Sequence, residues 1–432
     1  MQPMTDLLAA RSQMAMSLGF HIIFAEIGIA MPAMMVVAEW LGRRTGDAQY
    51  RQLAQRWAKG VVILFAVGAV SGTVLSFQLG LLWPHFMEYS GAIIGIPFSL
   101  EGFAFFTEAI FLGVYLYGWD RISSRAHIVA GIIVAASGAA SAVFVVMVNA
   151  WMNAPTGITV EAGQITSFDA LAAMRSPVAL AQILHMLLAA YAATGLAVAG
   201  IHALMVLRGG RSAFHGHALT VALLVGAPAA ILQPAAGDYS ARVVARTQPV
   251  KLAALEGQFD TERGAPLRIG GWPDVNARKT RFALEIPGGL SFMAYGSREA
   301  TVRGLADFPR EDWPPVAPVH LAFQLMVALG TAMALVSIWA WWSRGKVMEH
   351  RALLRALVVV APFGFVATEA GWVVTEVGRQ PWVIQGLLRT ADAVTPMPGL
   401  VVPSVLLGVL YLGLAAVVII VIRTQVRETS TP

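Results

Sequence analysis

The sequence predicts an all-α integral membrane protein. It has nine spanning helices, an outer N-terminus, an inner C-terminus and one long external loop between helices six and seven. Three observations carry this. First, 57% of the 432 residues are hydrophobic and only 13% are charged, where soluble domains carry about 25% charged residues. Second, nine stretches reach the roughly 20 mostly apolar residues that a bilayer-spanning helix needs. Third, the Lys and Arg residues of the short connections collect on alternate sides of those stretches. This composition excludes a multidomain soluble enzyme and a disordered regulator. It also excludes a nucleic-acid binder, because the 30 basic residues form no stripe on a polar face.

The spans fall at 14–38, 59–79, 96–118, 127–149, 179–206, 217–235, 319–342, 353–375 and 400–422. Asp6 and Arg11 interrupt the N-terminus, so the first apolar stretch is expected to be a full span and not the short core of a cleaved signal. It contains His21 and Glu26, and the second span opens at Lys59. The third carries Glu101 and Glu108, the fourth runs up to Asn149, and the fifth holds His185. After the sixth comes a polar segment, 236–318, rich in Gly, Pro, Arg and carboxylates; a connection that long is functional or disordered as a rule. The seventh span follows His320 and contains Met326, and the eighth carries Glu369, Trp372 and Glu376 before Pro381 stops it. The ninth is free of charge. The whole chain, 1–432, reads as one membrane domain that includes the 236–318 loop.

Orientation follows from charge. Fifteen basic residues, Arg43, Arg44, Arg51, Arg121, Arg208, Arg211, Arg344 and Lys346 among them, lie in connections that alternate with others holding only Arg175, Arg379 and Arg389. The basic side is inner, which places the N-terminus and the 236–318 segment outside.

The absence of cysteine excludes disulfides, thiolate-held clusters and cysteine nucleophiles. Any metal centre then rests on His, Met, carboxylate or Tyr. Ionisable residues inside a span cost about 2.5–3.5 kcal/mol each even on a lenient scale, and are functional hypotheses by default. Glu101 and Glu108 are seven residues apart, two helical turns, so they share a face about 10 Å apart along the axis. That suits a proton path, or two acids paired with neighbouring helices. Glu369, Trp372 and Glu376 form another one-face set whose carboxylates could ligate a metal, accept a proton or pair with Arg379. His185 is a haem-type ligand or a hydrogen-bonded packing residue, and Met326 taken alone is core. His85, His127 and His320 sit at span ends and are assigned no chemistry.

The ordered set of segments RSQMAMSLGFHIIF, SGTVLSFQLG, EGFAFFTEAIFLGVYLYGWDR, SAVFVVMVNAWMNAP, QILHMLLAAYAATG, QPVKLAALEG, FQLMVALG and EAGWVVTEVGRQPW resembles subunit I of the cytochrome bd-type quinol oxidases along nearly the whole chain. The resemblance implies three haems. His185 and Met326 match the axial pair of a low-spin haem b. His21 and Glu376 match the ligands of two high-spin haems, a haem b with either a haem d or a second haem b. Lys251 and Glu256 match the quinol-oxidation region, making 236–318 a short version of the family's quinol-binding loop. Glu101 and Glu108 match acids of the proton route, and Trp372 and Arg379 match residues close to the high-spin haems. It further implies a homologous second membrane subunit, in some members a small single-span one, with quinol and O2 as substrates in a bacterial or archaeal cytoplasmic membrane. Quinol would be oxidised at the outer face and O2 reduced to water, with charge separated across the membrane and no pumping cycle.

Four departures mark a divergent branch. The third-span glutamates are seven apart where the pattern has eight, Gln324 stands where it has Arg, Ser76 where it has Glu, and Glu26 is an added acid. Two other readings compete: a membrane haem protein that relays electrons without reducing O2, which intact His21 and Glu376 oppose, and a proton-coupled transporter. The transporter lacks an inverted repeat and leaves the His185–Met326 pair unexplained.

Overall fold

The computed structural model describes residues 5–210 and 212–430; Arg211, counted above on the basic side, lies outside the described residues. Among the described residues nine helices are long and apolar enough to cross a membrane. They are α1 (Asp6–Thr45), α2 (Ala48–Leu82), α3 (Pro84–Tyr117), α4 (Ser124–Asn153), α5 (Ala179–Leu207), α6 (Ala213–Thr247), α7 (Val316–Trp342), α8 (Arg351–Val360 continued by Phe363–Val377) and α9 (Val401–Ser430). Each coincides with the apolar stretch read from the sequence to within a residue at the ends where it does not run beyond it: α3 stops one residue short, at Tyr117, and α9 starts one residue late, at Val401. Polar first turns capped by Thr5, Asp47, Ser123 and Ser212 start α1, α2, α4 and α6 by accepting backbone N–H bonds. The eighth span, read as continuous, is interrupted at Ala361–Pro362, since Pro362 lacks the N–H that would continue the ladder.

The long polar segment is ordered. Helix α6 runs on to Thr247, past the apolar stretch, and Pro249 then begins a separate short helix, Pro249–Glu256, closed by Gly257 at φ +59°. Beyond it come three two-stranded antiparallel pairings: Glu262–Arg263 with Thr301–Val302, Leu267–Ile269 with Leu284–Ile286, and Trp272–Asp274 with Lys279–Arg281. In the second, Leu267 faces Ile286 and Ile269 faces Leu284.

The connections sort to two ends. At one, Asp6 Oδ1 accepts from Leu400 N (2.8 Å), Met152 O from Gln385 N (2.9 Å), and Arg389 pairs with Asp312 (2.7 Å), so the loop segment, the 378–400 turn and the N-terminus form one cap. At the other end lie the short basic connections, joined by Arg51–Asp120 (2.6 Å) and His217–Asp47 (2.7 Å). The main apolar cluster occupies the half nearer this basic end. It includes Met34, Met35, Leu53, Leu196, Leu219 and Leu353, all essentially inaccessible. In lipid no hydrophobic force separates helix from lipid tail, so close approach through small residues supplies the packing. Gly195 of α5 and Gly226 of α6 illustrate it: a Cβ on Gly226 would stand 2.8 Å from Gly195 Cα.

Candidate functional site

The ionisable residues singled out in the spans lie mainly in the half nearer the loop cap, above the dry cluster. His21 on α1 is held by α2: its Nδ1 lies 3.1 Å from Ser71 Oγ, while the Ser71 hydroxyl lies 3.0 Å from the carbonyls of Val67 and Gly68. A hydroxyl that donates to a backbone carbonyl accepts from the imidazole, so Nδ1 carries the proton and the Nε2 lone pair is left free. Gly72, next to Ser71, comes so close that a Cβ there would be 3.0 Å from His21 Cε1.

His185 and Met326 are likewise met by glycines of facing helices. A Cβ on Gly237 of α6 would be 3.5 Å from His185 Cε1, and one on Gly371 of α8 would be 3.1 Å from Met326 Sδ. The Gln233 amide nitrogen lies 3.3 Å from both ring nitrogens of His185 and 3.1 Å from its carbonyl.

Glu376, near the end of α8, is the best-connected of the candidates. Its Oε2 accepts from Arg379 Nη2 at 2.5 Å and its Oε1 from Asn149 Nδ2. Asn149 Oδ1 in turn accepts from Asn153 Nδ2 (2.9 Å), and Asn153 Oδ1 accepts from Lys251 Nζ. A polar chain therefore runs from Lys251, on the short helix of the loop, to Glu376. Arg379 is 2% exposed, and its Nε and Nη1 have no partner among the described residues. Trp372 is half-buried one turn before Glu376.

Lys251 and Glu256, read together from the sequence as the quinol-oxidation region, face different surroundings. Burial lowers the Lys251 ammonium to about 7, with the Arg379 charge acting the same way and Glu376 opposing. Burial raises the Glu256 carboxyl to about 7, with Arg268 opposing. Glu256 Oε2 has no partner among the described residues.

Glu101 and Glu108 share a face, as their spacing predicts, and both meet α4. Glu101 accepts from Ser141 Oγ at 3.1 Å, and Glu108 fits against Gly138, where a Cβ would lie 3.2 Å from its carboxylate. Glu26, the added acid, is 5% exposed and faces Thr368 and Glu369 of α8. Gln324 uses its amide on the loop backbone, accepting from Gly270 N (2.9 Å) and donating to Arg268 O (3.0 Å). Ser76 is exposed, its hydroxyl donating to Gly72 O.

Sequence reasoning missed Ser71, Asn153, Gln233 and Arg268, and it left His320 and His127 without a role. His320 is fully buried with both nitrogens on backbone carbonyls, and His127 pairs with buried Glu39 at 2.9 Å. Only Glu39 carried a signal, as a carboxylate near the end of an apolar stretch. The donor set of two histidines, a methionine and a glutamate, each histidine and the methionine with a glycine against it, fits haem iron. The unpartnered Arg379 nitrogens fit an anionic group such as a haem propionate.

Comparison with known proteins gives concordant results. The model of the family described as cytochrome bd terminal oxidase subunit I matches residues 9–430. A Bacillus subtilis (strain 168) protein with the provisional name cytochrome bd menaquinol oxidase subunit I is 38% identical over 432 residues, covering 98% of this chain and 97% of its own. The cytochrome bd ubiquinol oxidase subunit 1 of the same organism is 29% identical, covering 98% and 94%. Among solved structures, the bd oxidase from Geobacillus thermodenitrificans superposes with a TM-score of 0.93 at 37% identity, over 99% of this chain and 100% of that one.

Proposed function

The chain belongs to the cytochrome bd terminal oxidase subunit I family, and from that premise we propose a residue-level assignment of its quinol oxidase activity. At the coarser level the protein is a multi-pass bacterial membrane protein and a component of a terminal quinol oxidase, an oxidoreductase. Cytochrome bd oxidases are haem proteins that use quinol and O2 and work with a second subunit.

The assignment is as follows. His185 and Met326 would together hold a low-spin haem b. His21 and Glu376 would each hold one of two high-spin haems, a haem b with a haem d or a second haem b. Bound there, haem iron supplies one-electron transfer and an open coordination position for O2. The 236–318 segment forms the outer quinol site with Lys251 and Glu256. Quinol oxidation releases two protons, and the buried Glu256 carboxylate, its Oε2 unpartnered, is placed to accept one. Glu108 and Glu101, stacked along α3, hold protons on their way from the basic, inner face. Arg379 neutralises Glu376 through Nη2 and keeps two donors for an anionic haem edge; Trp372 covers the same side. Protons released outside and taken up inside separate charge without pumping.

One observation carries this reading: His21, His185 and Met326 each have a glycine of a neighbouring helix against the ligating side chain. The test is a reduced-minus-oxidised visible spectrum of the purified complex with the extracted haem typed. His185→Ala should lose the low-spin signal and quinol oxidation together while the high-spin signals stay. A normal low-spin signal in that variant means that the axial assignment is wrong.

A further inference from the structure

We propose that His320 and Gln324 are positioning residues of the outer quinol site, and that Arg268, the side chain they hold in place, is the cation that faces Glu256. The inference rests on the reading of the loop as the quinol site.

The two residues are four apart on α7, so they share a face, and that face grips the loop backbone at two separate points. His320 Nδ1 lies 2.7 Å from Leu255 O and Nε2 lies 3.2 Å from Gly270 O. Gln324 Oε1 accepts from Gly270 N at 2.9 Å, and its Nε2 donates to Arg268 O at 3.0 Å. Leu255 immediately precedes Glu256, so one grip fixes the acid and the other fixes the strand that carries Arg268. Both carbonyls lie against the ring nitrogens of a side chain with no solvent access, and the ring N–H is the donor the imidazole offers them. The turn after Glu256 is fixed as well: Gly257 stands at φ +59°, and its carbonyl accepts from Thr280 Oγ1 at 2.8 Å.

The Arg268 side chain is 11% exposed. Its guanidinium donates to Gln258 Oε1 and, through Nε, to Glu285 at 3.0 Å, and its charge acts on Glu256. Gln324 is two residues before Met326. At that place the oxidase pattern has an arginine; here a neutral amide holds by its backbone a segment that brings an arginine from the loop.

The experiment compares Arg268→Gln, Arg268→Lys and Gln324→Leu with Glu256→Gln in the purified oxidase complex, measuring quinol KM and kcat and the low-spin haem spectrum. Loss of a charge-assisted contact to the site should raise KM by at least about ten-fold. With kcat nearly unchanged, this is the expected result for Arg268→Gln, with most of the effect recovered in Arg268→Lys. Gln324→Leu should raise KM likewise and expose the loop to faster tryptic cleavage. A role confined to stability would lower the amount of haem-loaded complex and leave KM alone. If Gln324→Leu does not assemble, the Arg268 pair decides, since neither substitution alters a span. Wild-type KM in the Arg268→Gln complex overturns the inference when Glu256→Gln is impaired. If Glu256→Gln also oxidises quinol normally, the reading of the loop itself falls, and this inference with it.

Discussion

A histidine in a spanning helix has two ring nitrogens, and whatever holds one decides what the other can do. At His21 the holder is Ser71, whose own proton goes to a backbone carbonyl. Replacing Ser71 by Ala removes that acceptor at a cost of about 1 kcal/mol and frees the ring to rotate. The expected outcome is a broadened or shifted high-spin haem signal with an unchanged low-spin one; an unaltered high-spin band would show that Ser71 does not orient His21. At Glu256 the decisive property is proton affinity near neutrality. A carboxyl raised to about 7 is protonated below that pH and cannot take a proton from quinol, so quinol oxidation should rise as pH increases through about 7. Glu256→Gln should be slow and lose that limb of the profile while keeping every haem band. His21, His185, Glu101, Glu108 and Glu376 were legible in the sequence because an ionisable or ligating group within an apolar run is conspicuous. Ser71, Asn153 and Gln233 were not. A hydroxyl or amide in a span reads as ordinary packing until the helix facing it is known.

At the scale of the element, the spans were legible because twenty apolar residues in a row have few other uses, whereas their ends and the loop were not. Helix α6 extends to Thr247 because helix propensity continues where hydropathy stops, and a new helix begins only where Pro249 forces a break. The ordered pairings of the loop are two or three residues long, too short for any alternation to appear in the sequence. What positions His185 is the approach of α5 to α6, set by Gly195 against Gly226. Gly226→Leu would overpack this crossing by several methylenes, typically costing about 1–3 kcal/mol. The helices would separate, and the Gly237 backbone would move away from His185. Loss of the low-spin signal and faster thermal inactivation are expected, with the high-spin signals less affected; equal loss of all haem signals would mean that the crossing supports the whole bundle.

For the whole molecule, the sorting of connections into a loop-bearing cap and a basic end gives the energetic argument its direction. On the proposed mechanism, charge separation without pumping has quinol release protons on one side and the carboxylates of α3 draw them from the other. If the two faces were reversed, the same residues would dissipate the gradient. On the proposed orientation the basic connections face inward, and the protein offers a direct check because this chain contains no cysteine. Single cysteines can therefore be introduced without background: Phe282→Cys in the loop, where the side chain is 94% exposed, and Lys346→Cys in the exposed connection between α7 and α8. In intact cells a membrane-impermeant maleimide should label the first and leave the second untouched until the membrane is opened. Labelling of Lys346→Cys alone would place the loop inside. Glu256 would then release quinol protons to the cytoplasm, and the proposed contribution to the proton gradient would have to be abandoned even if the haem ligands stood.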